Sequence, residues 1–465
     1  MSESAKGMNK AEIIKWLVTI GIAVVLALIP SNDIYTVPIK QFCVITIFFL
    51  LVIAFEFFDN MIPAILMPTC WALIGVSDWN TAFSGFTNST VFMIFDAFVF
   101  ANILQDTGLL KRIAFLCIYR LGGNFRGLMI GIFVAGVVLS FITFGNAYVI
   151  MGTITLGICA ALGLKPGKTS SALMMMVILG TLSVRVFTYS PALFEMLSAQ
   201  AQIVIGPDFD LTLSSALMHQ WPIAIVCVLM VFIFIRMYRP EEELVGGKEH
   251  VKYELDRMGP LSLREKKAFV MLMLLLIYLL TNPIHGWDSQ WGFLIIPFLC
   301  FFPGLRVAEA RNTIKKVNYS MIFFMASCIS IGGVATSLGI GKVIASLCLP
   351  IFSNVGGYTQ LILIWLLTFA LNFVMTPLAI MSTITVPVCE MAMSLNIDPT
   401  VYTYAILHGC EAILFPYEYV AYLVVYSFGM MTMKEFIKMN AIRVVIALIG
   451  FGVLCIPYWS LIGLM

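Results

Sequence analysis

The residues of this 465-residue chain that could handle an ion fall into two sets about 230 positions apart. Asn146, within Gly145-Asn146-Ala147, precedes Ile150-Met151-Gly152-Thr153-Ile154-Thr155. Thr376, within Met375-Thr376-Pro377, precedes Ile380-Met381-Ser382-Thr383-Ile384-Thr385, which differs from the first run at one position in six. A carboxamide and a hydroxyl beside the start of an apolar helix suit a negative solute, because the free N–H groups and the helix dipole both favour negative charge. The four threonines beyond the tips (Thr153, Thr155, Thr383 and Thr385) read either as a polar path or as small packing residues.

A second pair of segments follows the first. "SSALMMMVILGTLSVRVFTYSPALFEM" carries Arg185, Thr188, Tyr189, Ser190 and Pro191 at a break in an apolar run. "TVYTYAILHGCEAILFPYEYVAYLVVYS" carries His408, Glu411, Pro416, Tyr417 and Glu418 at its own break. Ionisable groups at such depth cost several kcal/mol and point to function. Arg185 could lend positive charge to an anion site, replace a bound cation, or pair with Glu411 or Glu418 to fix the fold. The candidate substrate contacts are therefore Gly145, Asn146, Ala147, Thr376, Pro377, Arg185, Thr188 and Tyr417. Oxygens of Asn146, Thr188, Ser190 and Thr376 could hold Na⁺ as a coupling ion. Glu411, Glu418 and His408 could instead carry a proton, since burial raises a carboxylate's pKa toward neutrality. His408 and Glu411 share a helix face as a metal pair would, but no second such pair exists and the chain has only 4 histidines. No metal beyond Na⁺ and no organic cofactor is expected.

These residues sit in a very apolar chain. Hydrophobic residues make up 61%, charged residues 11%, and the mean hydropathy is +0.99. Soluble domains carry nearer ~25% charged residues. Stretches such as Ile13–Ile29, Phe42–Phe55, Ile223–Ile235 and Phe269–Leu280 have membrane-spanning character. Ile13–Ile29 lacks a small-residue cleavage site and reads as a first span rather than a signal peptide. The 11 cysteines are scattered without a CxxC pair, as small buried hydrophobes would be. The net charge of +2 offers nothing to nucleic acid.

With the N-terminus in the cytoplasm, 24 of the 27 lysines and arginines fall on one side, Lys434, Lys438 and Arg443 among them. Such a bias is what the positive-inside rule predicts. Lys40 and Lys342 are outliers, and Arg185 lies within a span. "MIFDAFVFANILQDTGLLKRIA" from Met93 and "MIFFMASCISIGGVATSLGIGKVIA" from Met321 extend the internal repeat, each as an apolar span, a small turn and a short Lys-bearing helix. An odd number of spans between them inverts the second copy. The expected fold is an all-α polytopic membrane protein of about 11 transmembrane helices plus two re-entrant hairpins, in two inverted-topology repeats. Secondary transporters are built this way, with the site where the repeats meet.

The tips, the Pro-broken spans and the C-terminal "MKEFIKMNAIRVVIALIGFGVLCIPYW" together resemble the divalent anion/sodium symporter (DASS) family over nearly the whole chain. The resemblance implies a homodimer with scaffold and elevator transport domains. It also implies two Ser-Asn-Thr tips that bind substrate carboxylates and sodium. Here those tips become Gly145-Asn146-Ala147 and Met375-Thr376-Pro377, and the family's second break corresponds to Pro416-Tyr417-Glu418-Tyr419. The implied division is an N-terminal scaffold (1–88), a first repeat mainly of transport domain (89–215; hairpin about 125–162, broken helix about 169–204), and scaffold helices with a cytoplasmic linker (216–318; linker 239–267). A second repeat (319–430; hairpin about 358–396, broken helix about 400–428) and a C-terminal helix (431–465) complete it.

The expected function is secondary active transport of a small, di- or tricarboxylate-like anion across the inner membrane by an elevator mechanism. Na⁺-coupled symport is the first reading. A proton-coupled or ion-independent exchanger of a carboxylate, sulfonate or inorganic anion is the second. An anion channel would show a continuous polar stripe or ring of charge. An intramembrane enzyme would need HExxH, GxSxG or a paired acidic motif, and none occurs.

Overall fold

A computed structural model describes residues 10–32, 35–55, 57–122, 124–238, 247–285, 287, 289–340, 354–373 and 375–465. Lys342, its short helix and the first part of the linker lie outside them. The described residues are helical and contain no strand. In chain order the main helices are α1 (Lys10–Leu28), α2 (Val37–Ala54), α3 (Met61–Ile74), α4 (Ser89–Thr107), α5 (Leu109–Leu121), α6 (Phe125–Ile142), α7 (Tyr148–Ala161), α8 (Lys168–Val177) and α9 (Pro191–Ile205). Next come α10 (Leu213–Met237), α11 (Gly247–Arg257), α12 (Leu263–Leu280), α13 (Ser289–Leu299), α14 (Tyr319–Ser337) and α15 (Gly357–Leu371). The last four are α16 (Pro377–Ser394), α17 (Pro399–Cys410), α18 (Val420–Ser427) and α19 (Met433–Gly450).

Among the described residues, seven helical segments are long and apolar enough to cross a membrane, α6 and α16 included. Shorter apolar helices such as Val37–Ile53 and Met61–Ile74 fall below the length of a straight crossing. The chain is a multi-pass helical membrane protein.

In each half an apolar helix is followed by two helices joined at a tip (α6 and α7, α15 and α16) and then by an interrupted helix. The first interruption runs from α8 through a π-helical segment at Ile178–Ser183 and a turn at Arg185–Thr188 to Tyr189, whose φ is +58°. The second runs from the end of α17 through a 3₁₀ turn at Pro416–Glu418 to α18. Pro191, Pro377 and Pro399 each open a helix, where a missing N–H costs nothing.

Close backbone approach holds these pieces together. Helix α6 crosses the first interrupted span at Gly136 and Gly180, where a Cβ on Gly136 would lie 3.0 Å from the Gly180 Cα. Small residues permit such crossings where no hydrophobic effect drives helices together. Helix α9 packs on α16, and α17 packs on both α15 and α16, so elements of the two halves interlock.

On the Lys/Arg-rich side, the described part of the linker is docked. The Nε of Arg112 meets Glu265 Oε1 at 2.7 Å, its NH1 donates to the Gly259 carbonyl at 2.7 Å, and Lys111 lies 3.5 Å from Glu254.

Candidate functional site

The two tips and the two breaks meet at one cavity of about 390 Å³. Among the helices that begin at its wall are the four that follow the tips and the breaks, two from each half. Tyr148 and Val149 open α7, Ala192 lies in the first turn of α9, Leu378 in that of α16, and Val420 and Ala421 open α18. A helix N-terminus carries unpaired N–H groups and the equivalent of about half a positive charge. Four such ends around one chamber favour an anion in it.

Asn146, Thr376, Arg185 and Ser190 all line this cavity, so the sequence brings these four candidates together. Asn146 is half-buried, and its Nδ2 donates to the Thr143 carbonyl at 3.3 Å, which leaves its Oδ1 unspent among the described residues. The Thr376 hydroxyl is buried and has no partner among the described residues. An orphaned hydroxyl in a cavity is a group waiting for a ligand or water. Gly145 adopts φ +89°, and a Cβ there would lie 3.0 Å from Arg185 Cδ and 3.1 Å from Ser190 Oγ. The first tip therefore rests directly on the guanidinium stem, and only glycine suits both the space and the backbone.

Arg185 is buried to 3% exposure. Its NH2 donates to both carboxylate oxygens of Glu411, at 2.8 and 2.9 Å, and its NH1 donates to the Tyr419 hydroxyl at 3.0 Å. The guanidinium carbon also lies 4.8 Å from the Tyr419 ring centre, within cation–π range. The ion pair left open by the sequence is thus formed with Glu411, while Arg185 keeps a face on the cavity.

Other candidates lie apart from the chamber. Thr188 is fully buried and shares a 3.0 Å hydrogen bond with Ser140, tying the first break to α6. Ala147 and Pro377 are buried packing residues behind the tips. Glu418 does not face the cavity: its carboxylate accepts the backbone N–H groups of Leu414 at 2.9 Å and Phe415 at 3.0 Å, closing the turn. His408 also lies elsewhere, with its Nε2 2.7 Å from Gln220 Oε1 and its ring against Phe451 and Trp459. Only the backbone of Tyr417 is described, and the tyrosine at the guanidinium is Tyr419. None of the four tip threonines lines the cavity. Thr153, Thr383 and Thr385 bond carbonyls of their own helices, which is the packing reading.

Arg443 is buried to 3% exposure. Its guanidinium donates to the carbonyls of Glu411 at 3.1 Å and Ile413 at 2.6 Å, capping the second break. Asn372 completes that cap, its Nδ2 reaching the carbonyls of Gly409 and Cys410 at 3.0 and 3.1 Å. The C-terminal groups of an interrupted helix are the ones able to hold a cation, and here protein donors cover them. The tip and break motifs did not mark Arg443, which lies outside both of them in the C-terminal helix α19. The cavity also takes residues the tip motifs did not mark: Asn60, Asn102, Gln105 and Asn318, with Lys316 paired to Asp106.

An all-helical, membrane-spanning chain with paired tips around an anion-favouring chamber belongs among the membrane transport folds. Two solved structures share the fold. The Alcanivorax borkumensis YdaH transporter superposes with a TM-score of 0.57 at 16% identity, over 97% of this chain and 98% of that one. Neisseria gonorrhoeae MtrF, described with a class of antimetabolite efflux pumps, gives 0.57 at 13% identity, over 94% and 97%. The chain belongs to the citrate transporter family (CitMHS), whose model matches residues 49–407. Relatives in sequence include a Cupriavidus necator membrane protein, 24% identical over 56% of this chain and 52% of the relative. Another is the Escherichia coli inner membrane protein YbhI, 26% identical over 46% and 47%. A third is the E. coli L-tartrate/succinate antiporter, 23% identical over 57% and 56%. The chain matches about half the length of these relatives. The family and the antiporter are transporters, not enzymes.

Proposed function

We propose that this protein is a secondary transporter of small carboxylate anions and works as an exchanger. The observation that carries the reading is the convergence of four helix N-termini, Asn146 and Thr376 on one chamber beside Arg185. Carboxylate is the anion class, because the family is named for citrate and a relative for tartrate and succinate. The narrower DASS placement, the inverted repeats, the elevator motion, the homodimer and an N-terminus in the cytoplasm of the inner-membrane protein belong to this proposal and rest on the tip-and-break pattern.

Exchange is favoured over ion coupling by two features. Arg185 supplies a fixed charge balanced by Glu411, and the carbonyls of the second break are spent on Asn372 and Arg443. Sodium symport is the second reading, supported by the oxygens of Asn146, Ser190 and Thr376 on the cavity wall. Proteoliposomes loaded with unlabelled succinate or citrate separate the two. Exchange predicts uptake of the labelled acid that persists when Na⁺ is replaced by choline and when the pH gradient is abolished. Uptake that requires a sodium gradient would make the protein a symporter, and no carboxylate accumulation or exchange under any gradient would end the transport reading.

A further inference from the structure

The chamber has a second wall that anion attraction does not explain. Phe98, Ala101, Asn102 and Gln105 stand at i, i+3, i+4 and i+7 of α4, so a single stripe of that helix faces the cavity. Asn102 is half-buried and Gln105 is exposed at the rim. Among the described residues neither side-chain amide makes a hydrogen bond within the chain. A half-buried amide without a partner costs free energy unless water or a solute meets it.

The charge pattern says what kind of group that is. The charged residues on the cavity wall are Arg185 and Lys316, and each has a carboxylate partner, Glu411 and Asp106. The four helix ends attract the negative part of a solute. The α4 stripe instead offers neutral groups that both donate and accept. A carboxylate only accepts, whereas a hydroxyl does both.

We propose that Asn102, with Gln105 nearer the rim, recognises a hydroxyl on the carbon skeleton of the transported acid, so that hydroxylated carboxylates are preferred over unsubstituted ones. The Asn102 N–H would donate to the hydroxyl oxygen, and the hydroxyl proton would go to Asn102 Oδ1. This assignment rests on the carboxylate reading above.

The test uses acids that differ by one hydroxyl: succinate against each enantiomer of malate, and tricarballylate against citrate. Half-saturation is read from competition with labelled uptake and from ligand-induced thermal stabilisation of the purified protein. In at least one pair the wild-type protein should bind the hydroxylated acid about tenfold more tightly, and Asn102→Leu should bring that pair within about twofold while moving the unsubstituted acid less than about threefold. Equal binding in both pairs by the wild type, or an equal loss for both members in the variant, would overturn the proposal. Should Asn102→Leu fail to fold, Gln105→Leu at the exposed rim decides: a narrowed preference supports the assignment and an unchanged one overturns it. A wild-type protein that binds none of these acids would remove the carboxylate reading itself, which is a different result from binding them without discrimination.

Discussion

Arg185 and Glu411 stand 226 residues apart in the chain, yet the guanidinium grips both oxygens of the carboxylate at 2.8 and 2.9 Å, one from each break. A buried pair of this kind contributes little net stability when intact but much when halved. Glu411→Gln should therefore lower stability by about 3–5 kcal/mol, and Arg185→Gln by a similar amount. The double change Arg185→Met with Glu411→Leu should recover most of that loss and still transport nothing. Thermal unfolding in detergent and uptake in vesicles read the two effects separately. A double variant that transports would assign the pair to folding alone.

Thr376 offers the opposite case. Its hydroxyl has no partner among the described residues, so Thr376→Val should shift stability by less than about 0.5 kcal/mol. If the hydroxyl meets substrate, half-saturation should rise about tenfold, the loss of one well-made hydrogen bond. Asn146→Ala should weaken transport in the same way without preventing membrane insertion. Uptake at wild-type level in both variants would take the tips out of the site.

Gly145→Ala tests the seat of the first tip. The added methyl would press on Arg185 and Ser190 from a backbone at φ +89°. Strain of this kind costs about 1–3 kcal/mol. We expect a lowered melting temperature together with loss of anion-dependent stabilisation, because the tip and the guanidinium must shift together. A variant with full anion response would show that the tip can move without Arg185.

Arg443 should prove structural. Arg443→Ala takes the donor from the buried Ile413 carbonyl, while the Glu411 carbonyl keeps the Ile413 N–H at 3.0 Å, and an unsatisfied group of this kind costs about 1–3 kcal/mol. Arg443→Lys should rescue poorly, since a single ammonium cannot reproduce the guanidinium fork. Expression, melting temperature and uptake should all fall together. A selective change in half-saturation at normal stability would move Arg443 into the site.

Much of this arrangement is legible in the sequence. The paired phrases at Ile150 and Ile380, and the polar interruptions at Arg185 and Glu411, fix where the backbone leaves regular helix. Those are local properties, written in Gly, Pro and small polar residues. What stayed hidden depends on which way a side chain turns after packing. Tyr417 and Tyr419 are alike in type and two positions apart, and only the course of the turn brings Tyr419 to the guanidinium. His408 shares a helix with the break but points toward Gln220, Phe451 and Trp459. Asn102 and Gln105 lie in an unremarkable span, and their significance rests on the cavity beside them. Glu418 looked titratable from its surroundings, although its oxygens close a turn that the sequence does not announce.

The contact between Gly136 and Gly180 bears on how the machine can move. Backbone rests on backbone there, with no side chain between to slide or change rotamer, and the Ser140–Thr188 bond pins the same two segments one turn further along. The first hairpin and the first broken span must therefore travel as a single block. On the transport reading proposed above, access to the chamber would alternate by displacement of that block against its surroundings rather than by the hairpin swinging open on its own.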